Sequence, residues 1–155
     1  MVREQVCAVA VLVTTLSVGG SAQPRQVPNL SGTWVPIPGG STPAELRPGS
    51  PIQITQTESI FRPSSLPDSP TYRLDGLETT YRDKSRGLTV RAKAEWKESA
   101  LGITEWYGSL KKVEIVYSVN EEGQLAVSTR IDMLGNTSNG LKILAIVTTR
   151  RYRKG

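Results

Sequence analysis

The chain has 155 residues, 37% hydrophobic and 21% charged, with 19 Lys+Arg against 14 Asp+Glu and a net charge of +5. It contains no histidine and a single cysteine. Without imidazole there is no Ser-His-Asp or Cys-His triad, no histidine-based zinc or haem site, and no side chain whose unperturbed titration falls near neutrality.

The chain opens with Arg3 in a short polar start, an apolar stretch over 6–18, and the small residues Gly20-Ser21-Ala22. This is the pattern of a secretory signal peptide over 1–22, with Gln23 as the first mature residue. The apolar stretch falls short of the roughly 20 residues that a membrane span needs, so no transmembrane segment is expected after cleavage. Cys7 lies inside that stretch. The remainder, 23–155, is sized for one domain that folds without disulfides, secreted or periplasmic in location. Its basic balance would draw it to an anionic envelope surface.

All ten prolines fall between Pro24 and Pro70. Proline cannot donate to a sheet ladder, so the first half is expected to hold loops and short strands and the second half a continuous sheet. Loops are expected over 36–43, 47–51 and 63–70, with one helical turn over 42–46 capped by Thr42. Strands are expected at 33–35, 52–57, 59–62, 71–74 and 77–82, with Asp75-Gly76 as a two-residue hairpin turn between the last two. The clearest alternation follows: Leu88, Val90, Ala92, Ala94 and Trp96 on one face, Thr89, Arg91, Lys93, Glu95 and Lys97 on the other. A strand over 101–107 comes next. Val113, Ile115, Tyr117 and Val119 then repeat the pattern, Glu121-Glu122-Gly123 supplies a turn, and Leu125, Val127, Thr129, Ile131 and Met133 return it. A last strand is expected over 143–153. About eight to ten strands joined by short turns predict an all-β antiparallel meander, closed into a barrel or folded as a sandwich, with the barrel preferred because closure hides the edges.

Leu30-Ser31-Gly32-Thr33-Trp34 opens this meander with a Gly-x-Trp on its first strand, which resembles the opening motif of the lipocalins and their calycin relatives. The resemblance implies that Gly32 and Trp34 close one end of the barrel with a late basic residue, Arg150 or preferably Arg151, packed across the indole. A closer resemblance is to small exported lipocalin-like β-barrel domains of bacteria. It rests on Leu30 to Trp34, Ile54-Thr55-Gln56, Leu74-Asp75-Gly76 with Glu78-Thr79-Thr80, Ala94-Glu95-Trp96, and Leu101-Gly102-Ile103, and spans most of 23–155. The lipocalin Thr-Asp-Tyr motif and a closing helix are absent.

Alternation from Leu101 and Ile103 puts Glu105 and Tyr107 inside such a barrel, and alternation back from Ile146 adds Thr148, Arg150 and Tyr152. Gln56, Tyr117 and Thr129 join them. The set Gln56, Glu105, Tyr107, Tyr117, Thr129, Arg150 and Tyr152 is therefore the candidate ligand-binding interior. No residue pattern specifies a catalytic group, a metal site, a cofactor or a nucleic-acid interface, so the chain reads as a nonenzymatic protein. The expected function is binding of a small hydrophobic or amphipathic ligand. The alternative is an envelope interaction protein that uses its outer surface, around Trp106, Arg91 and Lys93.

Overall fold

The computed structural model describes residues 27–43, 49–64, 69–137 and 140–155; the expected signal peptide lies outside them. Their regular structure is ten antiparallel strands: β1 (Gly32–Thr42), β2 (Ile52–Gln56), β3 (Ile60–Ser64), β4 (Tyr72–Arg73), β5 (Glu78–Asp83), β6 (Leu88–Lys97), β7 (Ala100–Tyr107), β8 (Lys111–Val119), β9 (Leu125–Thr137) and β10 (Gly140–Lys154). They form one sheet in the order β4-β3-β2-β1-β10-β9-β8-β7-β6-β5. The sheet curls into a nearly closed barrel, lipocalin-like at the level of architecture, as the edge strand β4 comes round against β6.

The alternation in β6 is realised at its centre, with Val90, Ala92 and Ala94 buried and Arg91 and Lys97 exposed; Leu88, expected on the buried face, is 47% exposed, and Trp96 is half-buried. Burial of this inward stripe with Leu30, Trp34, Phe61, Leu101, Ile103 and Leu125 forms the core. The expected hairpin at Glu121-Glu122-Gly123 joins β8 to β9, with Asn120 and Gln124 bonded across the turn and Gly123 at φ 74°.

Two expectations are corrected. The 36–43 loop is strand: β1 runs through Pro36 and Pro38 to Thr42, and its pairing with β10 jumps from Pro36↔Tyr152 to Ser41↔Arg150. The prolines sit in this bulge, where missing donors cost the ladder little. Thr42 ends β1 paired with Thr149, and the rest of the expected helical turn, 44–46, lies outside the described residues. Asp75-Gly76 does turn the chain, with Gly76 at φ 72°, but it joins no hairpin. β4 pairs with β3 and β5 with β6, so the two strands are the free edges of the sheet.

On β1, Trp34 is 2% exposed and its Nε1 donates to the Leu30 carbonyl at 2.8 Å. The cation across the indole is Lys154, not Arg151: its Nζ lies 5.1 Å from the ring centre and donates to the Ser31 carbonyl at 2.8 Å. Arg151 is exposed, because alternation from buried Tyr152 turns it outward. Gly32 has φ 126°, a conformation that favours glycine, and the absence of a Cβ leaves room for the Lys154 amine, which a Cβ would meet at 3.3 Å.

Truncating Trp34 to Ala should cost about 3–5 kcal/mol, read from the urea midpoint. Lys154→Ala, which removes only a rim contact and a cation–π pair, should cost about 0.5–1 kcal/mol.

Candidate functional site

Cross-strand register places Glu105 between Ala92 of β6 and Val113 of β8, on the inner face. Ala92 leaves space beside it that a larger side chain would occupy. Glu105 is 4% exposed. A carboxylate taken so far from water is costly unless its oxygens are hydrogen-bonded. Here three phenols do this: Tyr72 and Tyr81 donate to Oε1 at 2.7 and 2.5 Å, and Tyr107 donates to Oε2 at 2.9 Å. The Tyr81 and Tyr107 hydroxyls are 3.4 Å apart. Hydrogen bonds to a charged acceptor are stronger than neutral ones, and three of them offset much of the desolvation.

The cluster spans the open seam of the barrel. Tyr72 comes from edge strand β4, Tyr81 from edge strand β5, and Glu105 and Tyr107 from β7. The rings of Tyr72 and Tyr81 also meet edge to face across the seam, 6.3 Å between centres and nearly perpendicular.

Burial pushes the Tyr72, Tyr81 and Tyr117 phenols above their ordinary value; the Glu105 charge adds to this in all three, and donation to Glu105 does so in Tyr72 and Tyr81. Both effects favour the neutral, donating form. On the outer side of Tyr107, the Arg86 guanidinium lies 5.6 Å and the Lys111 amine 4.7 Å from the ring centre. Arg86 is held by the β5–β6 turn, where Asp83 accepts its backbone N–H at 3.1 Å and the Ser85 hydroxyl at 2.6 Å.

A cavity of about 540 Å³ opens onto this cluster. Ile52, Pro63, Pro70 and Ile115 give it apolar walls, Tyr72, Tyr81, Tyr107 and Tyr117 an aromatic and hydroxyl end, and Asp83 to Arg86 a charged rim. A second, outer hollow of about 290 Å³ lies beside Trp106, Leu110, Leu134 and Ile143.

Of the seven interior candidates, Glu105, Tyr107 and Tyr117 line the main cavity. Gln56 does not: its amide takes the Leu30 N–H at 2.9 Å and donates to the Pro28 carbonyl at 3.1 Å, clamping the entry to β1. Thr129 is half-buried opposite Ile115 and Thr148. Tyr152 is core. Arg150 is half-buried away from the cavity, its Nε without a hydrogen-bond partner among the described residues. Tyr72 and Tyr81 were not among the candidates; the inward parity of Tyr72 with Leu74, and of Tyr81 with Thr79, was their only sequence signal.

No family model matches the chain, and no curated protein matches it.

Tyr72→Phe keeps the ring and removes one donor to a buried carboxylate, so it should cost about 1.5–3 kcal/mol in urea unfolding. Unchanged stability would mean that ring packing alone holds the seam. The raised phenols add a pH dependence with a definite sign. Their folded values exceed the unfolded ones, so their contribution is complete below the ordinary phenol value of 10.0 and is lost as pH rises beyond it. Absorbance titration should find these three tyrosines still protonated above pH 10 until the protein unfolds.

Proposed function

We propose that the protein is an exported, noncatalytic binding protein that takes a small amphipathic molecule into the mouth of its barrel. The observation that carries this reading is the cavity of about 540 Å³ over Glu105. Ligand sites run to about 300–1,000 Å³, mostly apolar, with a few converging polar groups that fix orientation. The apolar part of the ligand would lie along Ile52, Pro63, Pro70 and Ile115, with its polar end toward the hydroxyls of Tyr81 and Tyr107. Export is supported by the apolar start and the small residues before Gln23, and by the resemblance carried by Leu30 to Trp34 and the later motifs to bacterial lipocalin-like domains.

The rival reading, an envelope interaction protein, would use the outer face at Trp106. Arg91 stacks 5.3 Å from that ring, but its charge is paired with Glu78 at 3.2 Å, and Lys93 is paired with Glu95 at 2.7 Å. A stripe already paired on its own face has less charge to offer an anionic surface.

Native mass spectrometry of the protein purified from its own source, before and after exposure to a lipid extract, tests the proposal. A reproducible added mass that disappears on unfolding, and that Ile115→Trp reduces by obstructing the cavity, is the expected result. A bare mass with no uptake would refute the carrier reading and favour the outer surface.

A further inference from the structure

β10 is the longest strand, and its two halves have different surroundings. From Thr149 to Tyr152 it lies between β9 and β1. From Gly140 to Thr148 it is paired with β9 on one side and, among the described residues, with no strand on the other. This free edge is Ile143-Leu144-Ala145-Ile146-Val147-Thr148, with no charge, proline or glycine. Its large residues are open to solvent: Ile143 is 68% exposed, Leu144 51%, Ile146 48% and Val147 57%. Exposed edges are ordinarily guarded by lysine, proline, a bulge or a short length, and 143–148 has none of these.

We infer that this edge pairs with the same edge of a second copy, antiparallel and about a two-fold axis, joining two barrels through β10. Among the described residues, the groups left unpaired along this edge are backbone N–H and C=O in a row, which another strand satisfies and hydrocarbon does not. Aliphatic side chains stand on both faces, Ile143 and Val147 on one, Leu144 and Ile146 on the other, so the partner must be aliphatic on both faces as well. The segment itself meets that requirement.

The register is also determined. In a two-fold antiparallel pairing of one edge, residues of like parity face each other. Centring on Ala145 puts Ile143 opposite Val147 and Leu144 opposite Ile146 of the second copy, with Lys142 opposite Thr148. Centring on Ile146 would bring Lys142 opposite Arg150, a like-charge pair at a place already occupied by Ser41 of β1. Centring on Leu144 would set Lys142 against Ile146. Only the Ala145 register matches all four large aliphatics with one another, and an isologous contact of this kind closes as a dimer.

Sedimentation velocity across a wide concentration range tests the pairing. The expected result is a dimer that dissociates on dilution. In the Ala145 register, Ile143→Lys with Val147→Lys sets lysines opposite each other twice per dimer. It should shift the midpoint upward by at least about tenfold. Ile143→Lys with Val147→Glu sets opposite charges across the same two positions and should restore much of the association. Both variants change exposed positions, so the monomer fold is not at stake. A wild-type protein that stays monomeric at high concentration would overturn the proposal, as would a dimer indifferent to both double variants. Equal weakening by both would overturn the register and hence the two-fold pairing.

Discussion

Between β4 and β5 the sheet has no ladder, so side-chain chemistry must hold the barrel closed there. The closure is one carboxylate shared among three phenols. Glu105 is committed to the interior by its place on β7, between the buried Leu101 and Ile103 on one side and Tyr107 on the other. Once there, its oxygens must be satisfied, and the donors within reach stand on both edges of the seam. The cost of desolvating the carboxylate thus becomes a force that draws β4 toward β5. Tyrosine suits the seam because it brings a donor with no formal charge, and its ring covers apolar surface at the same time.

The same arrangement creates the cavity. Side chains turned toward a central carboxylate leave the space in front of them lined by rings and hydroxyls, while the apolar walls come from Ile52 of β2, Ile115 of β8 and the two prolines flanking 65–68. In the proposed binding protein, closure and recognition are therefore coupled. A ligand whose polar end displaces a phenol from Glu105 must replace that hydrogen bond, since a buried acceptor left short of a donor costs more than the net worth of the bond. A ligand that instead binds the outward-facing lone pairs of Tyr81 and Tyr107 leaves the seam intact. The geometry favours the second kind.

Legibility in the sequence followed the length of each strand and the locality of its contacts. The register of β6 could be read, because ten positions of strict alternation admit one register, and the buried stripe follows it from Val90 to Ala94. The inward placement of Glu105 came from the same rule. Its partners did not, because Tyr72 and Tyr81 reach it from strands 33 and 24 residues away. Those two strands meet only where the barrel closes. Asp75-Gly76 misled for a related reason: a turn sequence specifies a reversal, but whether the flanking strands pair with each other or lie across a seam is decided by the rest of the sheet. The exchange of Arg151 for Lys154 at the indole is a matter of parity, since residues of even number at this end of β10 face inward with Tyr152 and the strand runs on to Lys154.

Proline placement, clear in the sequence, turned out to govern something the sequence did not announce. β1 can follow β10 only as far as its backbone can donate. Pro36 and Pro38 force the bulge that carries β1 past five of its own residues while β10 advances by two. Thr42 then makes the last pair, with Thr149, and the next residue is Pro43, which has no N–H to offer Thr148. Among the described residues, the point where β10 loses its neighbour is thus set by β1. Beyond that point β10 continues through nine positions, Gly140 to Thr148, paired among the described residues with β9 alone. A strand that persists without its second neighbour must either be guarded by its side chains or be paired by another chain. The aliphatic residues 143–147 do not guard it.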